Sequence, residues 1–304
     1  MRSIVVGVRG DGELDPALDF ALEEAVRRRL PLDAVHCYEL PSYGEWEGVL
    51  VAHADERRAA AARAVTAAVA RAVRRVPGGE TAAVRATVME GAPAECLVSL
   101  VSHTALLVVG ARGGGALRRA VRGSVSAQVL HRSWAPVALV PTAAEGVPDR
   151  WLRSRVVVGL DGSPASLAAL MWGVAQAKEW GCELTPVVVS SFTGRPPAAY
   201  ADRPDDVRAI VQQAVRDAGG LGLEMRPHFV EGAPASALLS VARPEDVLVV
   251  GSRGRGGIGS LLLGSTSTSV AESAAMPVVV VREGQSRRET HQRGREVLQR
   301  QRIG

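Results

Sequence analysis

Two stretches of the chain place glycine and serine at a spacing suited to holding a phosphate group. Residues 251–267, GSRGRGGIGSLLLGSTS, follow the apolar run VLVV, and residues 110–126, GARGGGALRRAVRGSVS, follow LLVV. Both fit the pattern G-x2-G-x9-G-S, through Gly251, Gly254, Gly264 and Ser265 in one case and Gly110, Gly113, Gly123 and Ser124 in the other. One match in a chain with 32 glycines is weak evidence; two at equivalent places indicate a shared design. Glycine lets the chain turn with positive φ at a strand end and leaves no Cβ between backbone and ligand. The closing Gly-Ser starts a helix, whose unpaired N–H groups and dipole favour an anion. The hydroxyl of Ser124 or Ser265 adds a donor. The amides of Val125 and Thr266 come next in the chain. Arg253 lies inside the second loop, where it can touch a phosphate or stay solvated.

Other chemistries fit less well. GRGGIG (254–259) satisfies G-x-G-x-x-G, but that fingerprint belongs after the first strand of its domain, and this copy follows a fourth. A Walker A loop needs a lysine, and the only lysine, Lys178, lies elsewhere. The six histidines form no HExxH or i,i+4 pair, and no GxSxG occurs, so no metal ligand and no catalytic residue is assigned. RGRGG is a single scrap of an RNA-binding repeat inside a loop. The competing reading of the glycines is a pair of tight strand-to-helix turns that hold nothing.

The elements that must position these loops are written twice. IVVGVRGDG (4–12) returns as VVVGLDGSP (156–164), a shift of 152, and EGAPAECL (90–97) returns as EGAPASAL (231–238), a shift of 141. LLVVGARGGG (106–115) and VLVVGSRGRG (247–256) keep the second shift, and APVALVP and MPVVVVR close the two halves. The first half therefore carries about 11 extra residues, placed near YGEWEGVLVAHADE. Each half alternates β-branched runs with Ala/Leu-rich helical stretches. Asp15 and Ser163 read as N-caps followed by Pro at N1. RRAAAARAVTAAVARAVRR (57–75) has strong helix propensity. Strands alternating with helices predict a parallel doubly wound sheet with a crevice where strand order reverses. The predicted domains are 1–142 and 153–283, joined by a linker at 143–152, with a charged tail at 284–304.

Composition sets the outer limits. The 304 residues suit two domains, 47% apolar content can fill two cores, and only 4% is aromatic, so those cores are mostly Val, Leu and Ala. Net charge is +4, nearly all basic groups are arginine, and part of the excess lies in the tail, so nucleic acid is an unfavoured partner. Cys37, Cys96 and Cys182 are odd in number and scattered, which suits a reducing cytoplasm. No signal-peptide h-region and no membrane-length apolar run is read, so a cytoplasmic location is expected.

With its twin G-x2-G-x9-G-S loops and EGAPA elements, the chain resembles the universal stress protein family in its tandem form. The resemblance covers roughly residues 2–141 and 154–282. It implies two α/β domains, each a five-stranded parallel sheet with helices on both faces, Rossmann-like and of the adenine-nucleotide-binding type. It further implies ATP, with Mg²⁺, at the strand carboxyl ends. By the same resemblance Asp161 meets ribose and phosphates and the backbone of Val189 meets adenine. Gly251, Gly254, Gly264, Ser265 and Thr266 cradle the phosphates. In the first half Arg9 stands in place of Asp161 and Cys37 in place of Val189. Arg9 can pair with a phosphate or fill the ribose site, and Asp11 is a possible substitute acid. The last strands of such domains meet at a dimer interface, which a tandem chain can satisfy as a pseudo-dimer, with homodimerisation and unidentified protein partners left open. The expected role is nucleotide-responsive regulation in stress response. A slow ATPase or adenylate transferase, and a structural member without ligand, are the alternatives.

Overall fold

The computed structural model describes residues 2–10, 14–39, 47–111, 125–141, 154–190, 227–254 and 263–283, with residues 209, 212, 213, 216 and 225. The chain divides into two compact units, residues 1–152 with 271–278 and residues 153–270 with 279–304. The described part of each copy alternates strands with helices.

In the first, β1 (Ser3–Gly7), α1 (Pro16–Arg28), β2 (Leu32–Tyr38), α2 (Glu47–Arg75), β3 (Val84–Glu90) and α3 (Pro93–Ser99) lead to β4 (Thr104–Ala111), α4 (Val125–Arg132) and β5 (Val137–Pro141). The strands run parallel in the order β3-β2-β1-β4-β5. Strand order reverses between β1 and β4, as in other doubly wound sheets. Central strands covered on both faces explain the unbroken apolar runs: Ile4, Val6, Leu106, Leu107 and Val108 are all fully buried.

The second copy runs β6 (Arg155–Leu160), α5 (Pro164–Trp180), β7 (Glu183–Ser190), β8 (His228–Glu231), α6 (Pro234–Val241), β9 (Val247–Gly251), α7 (Ser265–Ser273) and β10 (Val278–Val281). Its order is β10-β9-β6-β7-β8, equivalent strand for strand to the first. The β6 pairings with β7 and β9, and that of β7 with β8, are parallel. Its core is fully buried Val156, Val157, Leu170, Leu248 and Val249, each worth about 1.5–3 kcal/mol of burial.

Local chemistry sets the helix starts and ends. The Asp15 side chain accepts the Leu18 N–H at 3.2 Å and that of Ser163 accepts the Ser166 N–H at 3.1 Å, each ahead of Pro at the first turn, as the sequence predicts. Helix α5 closes on Gly181 at φ 66°, whereas α1 closes on Arg29 at φ 51°. Helix α2 begins ten residues before the predicted 57–75, so part of the extra sequence of the first half extends this helix. The linker and the residues beyond Glu283 lie outside the described residues.

Candidate functional site

At the carboxyl end of β6 the chain turns through Asp161 and Gly162, the latter at φ 77°. One carboxylate oxygen of Asp161 accepts the Ser163 N–H at 2.9 Å. The other lies 2.6 Å from the point a Cβ on Gly254 would occupy, so any side chain at 254 collides with the carboxylate. The Ser163 hydroxyl caps α5 and also donates to the Arg253 carbonyl at 3.2 Å. These contacts fix the corner after β6 against the loop after β9, across the reversal of strand order.

The far wall of the loop is tied down as firmly. Gly264 donates its N–H to the Ser252 carbonyl at 2.7 Å, and a Cβ on Gly264 would come within 3.4–3.5 Å of Arg253 and Gly254 backbone. The Ser267 hydroxyl donates to the Gly251 carbonyl at 2.6 Å, and the Thr268 N–H and hydroxyl both reach the Gly264 carbonyl at 3.0 Å. The first N–H groups of a helix have no partner inside it. Those of Ser265, which is exposed, and Thr266, half-buried, begin α7 directly after Gly264. One carboxylate thus faces a bare glycine backbone close to a helix start, a combination suited to an anion carrying both phosphate and hydroxyl or metal groups.

The glycines earn their places differently from the expectation of positive φ. Gly251, Gly254 and Gly264 all lie outside the left-handed region. Their requirement is steric. A Cβ on Gly251 would stand 2.6–2.8 Å from the Ala165 and Ser166 backbone, so this glycine admits the first turn of α5, not a ligand. Positive φ is found instead at Gly10 and Gly162 after β1 and β6, at Gly91 and Gly232 in the two EGAPA turns, and at Gly78 and Gly181 after α2 and α5.

Val189 sits near the end of β7, half-buried and paired with Val230. Arg253 is half-buried, and the sequence reading missed its neighbour Arg282, which is buried just after β10. Burial, then the charge of Arg253, holds the Arg282 guanidinium below the usual arginine range. The only sequence signal was that arginine replaces Pro141 of the first copy.

The first copy is built otherwise. Arg9 follows β1 and is exposed, and its backbone N–H is bonded to the Asp15 carboxylate. Burial pushes Asp15 above the usual carboxylate range despite the backbone donors around it. The His36 ring lies 2.8 Å from the Val8 carbonyl, and a Cβ on Gly10 would meet Ala64 of α2 at 3.1 Å and the His36 ring at 3.5 Å. Gly110 pairs with Val140 at the end of β4, and Val125 opens α4. Gly113, Gly123, Ser124 and Asp11 lie outside the described residues. Cys37 is the second-last residue of β2, half-buried; burial, and then the hydrogen-bonded Cys96 thiol beside it, push its own thiol up to about 12. Two of the scattered cysteines therefore meet, both as free thiols.

Among the described residues no group of three or more His, Cys, Asp or Glu is arranged to hold a metal, and no helix is long and apolar enough to cross a membrane. Fold and site together define an α/β protein in which a carboxylate meets a glycine loop at the switch point of its sheet. The sequence pattern of the universal stress protein family matches residues 1–141 and again 153–282, and the chain belongs to that family, with two tandem domains. A universal stress protein of Mycolicibacterium smegmatis is 33% identical over 289 residues, spanning 92% of this chain and 96% of its own. The crystal structure of a universal stress protein from Archaeoglobus fulgidus superposes with a TM-score of 0.66 at 25% identity, covering 94% of this chain and 98% of that one. A universal stress protein solved in complex with cAMP matches 47% of this chain and 98% of its own, at 26% identity and a TM-score of 0.37.

Proposed function

We propose that the second copy binds ATP and that the protein acts as a nucleotide-responsive regulator in the cytoplasm. The observation that carries this reading is the approach of Asp161 to Gly254 beside Gly264, the residue before α7. In this reading the Ser265 and Thr266 amides and the Ser265 hydroxyl take phosphate oxygens, with Gly254 and Gly264 leaving the backbone bare for them. Asp161 serves the ribose hydroxyls or a phosphate-bound Mg²⁺, which keeps most of its ligands as water and phosphate oxygen. The Val189 backbone receives adenine, and Arg253 supplies positive charge. Gly251 acts by seating α5.

ATP bound here would change the surface offered to a protein partner or a second copy of the chain. The first copy has Arg9 and Cys37 at the two matching positions, and the Arg9 N–H is already taken by Asp15, so its affinity should be lower. The test is mass analysis of nucleotide co-purifying with the unwashed protein, followed by ATP titration of wild type and Gly254→Ala. Retained adenine nucleotide, and a loss of at least tenfold in affinity in the variant, support the reading. An empty protein indifferent to millimolar ATP overturns it.

A further inference from the structure

A groove of about 940 Å³ opens in the first unit at the amino-terminal ends of β1, β2 and β3. Val5, Asp33 and Arg85 form one row across its floor, directly paired strand to strand, and Ala25, Leu30 and Leu100 add apolar wall. Its volume falls within the range of small-molecule sites.

The second copy carries a larger side chain where the first has Ser3 at the edge of this groove. There Arg155, at the position of Ser3, donates to both oxygens of Asp246, at 3.2 and 2.6 Å, and to the Val241 carbonyl at 3.1 Å. Asp246 corresponds to Ala105 and Val241 to Leu100. The first copy has lost both halves of that plug and keeps the space.

The rim has changed in the same copy. Where α5 ends on Gly181 in the left-handed region, α1 ends on Arg29 in that same conformation, which is unfavourable for a residue with a Cβ. Arg29 lines the groove, with His103 and Arg85 nearby. Arg85 is 80% exposed and meets Asp33 only at 3.7 Å, so its head group is free to turn toward a ligand. Two arginines beside apolar walls, one of them loosely paired with the Asp33 carboxylate of the floor, fit a small organic anion.

We infer that this groove is a second ligand site, taking a carboxylate or sulfonate with an alkyl or aryl body, independent of the nucleotide site. The inference does not rest on ATP binding, and its test does not use ATP affinity as a readout. Anilinonaphthalene sulfonate, an anion with an aryl body, is titrated into the full chain by fluorescence, and octanoate is used to displace it. Wild type should bind saturably with one site displaced by octanoate. Ser3→Arg combined with Ala105→Asp, which rebuilds the plug of the second copy, should reduce affinity at least tenfold. Arg29→Gly should weaken binding several-fold while raising the melting temperature, a pairing that a purely structural arginine would not produce. If the double variant does not fold, Arg29→Gly and Arg85→Ser decide. Non-saturable dye binding, equal binding in the plugged variant, or unchanged affinity in both single variants overturns the inference.

Discussion

Gly251 and Gly254 share one motif, yet the structure predicts that alanine at the two positions fails in different ways. At Gly251 the new methyl would lie 2.6 Å from the Ala165 carbonyl carbon, 2.7 Å from the Ser166 nitrogen and 2.8 Å from the Ala165 oxygen. These are backbone atoms in the first turn of α5, held by the Ser163 cap and by packing on β6 and β9, so they cannot rotate away. Overpacking costs about 1–3 kcal/mol, and a clash with fixed backbone belongs at the upper end. For a unit of this size each kcal/mol shifts the midpoint by about 2–4 °C, so Gly251→Ala should lower it by roughly 5–10 °C. At Gly254 the methyl meets the Asp161 carboxylate, a side chain able to turn once its bond to the Ser163 N–H breaks. That should cost about 1 kcal/mol or less in stability while displacing the acid from the site. Circular-dichroism melts and ATP calorimetry on both variants separate the effects. If Gly251→Ala melts within about 2 °C of wild type, or Gly254→Ala loses as much stability as Gly251→Ala, the division into a seating glycine and a site glycine is wrong.

Four further perturbations test other parts of the account. Ser163→Ala removes a cap and the link to the Arg253 carbonyl, so it should lose about 1 kcal/mol by denaturant titration and weaken ATP binding as well. Arg155→Ala leaves the fully buried Asp246 side chain without its cation and should cost about 3–5 kcal/mol, read as a lower urea midpoint at an unchanged slope. Asp15, raised in the folded state, contributes stability that is complete below its unfolded value of 3.8 and is lost as pH rises through the folded one. Asp15→Asn keeps a capping side chain, so its stability relative to wild type should improve from pH 3 to pH 7; a pH-independent difference would count against the burial of Asp15. Cys37, pushed up to about 12, should react with iodoacetamide at pH 8 far more slowly in the folded protein than in urea, and equal rates would contradict its contact with Cys96.

Much of the architecture was legible because it is local or repeated. The duplicated strand-glycine segments marked the alternation of strands and helices twice, and Asp15-Pro16 and Ser163-Pro164 marked two helix starts through chemistry confined to four residues. The glycine motif lies at the corner where strand order reverses, but the physical cause of its glycines was hidden: the atoms that forbid a Cβ at Gly251 belong to α5, some 86 residues earlier, and those at Gly254 belong to Asp161. The left-handed turns sit in Arg9-Gly10 and Asp161-Gly162, which spacing alone does not distinguish from other glycines. The meeting of Cys37 with Cys96, and of Arg282 with Arg253, depends on strands and helices being brought side by side, and no periodicity in the chain encodes it. The groove became visible only by comparing the two copies, since Ser3 and Ala105 are unremarkable until Arg155 and Asp246 show what they replace.

The most direct test of the site is calorimetric titration of ATP into wild type, Asp161→Asn and Asp161→Ala, with melting curves recorded on the same preparations. Saturable binding to wild type, with a loss of at least tenfold, about 1.4 kcal/mol, in both variants at near-native melting temperature, is the predicted result. Equal affinity in all three proteins would show that the carboxylate facing Gly254 takes no part in holding a nucleotide.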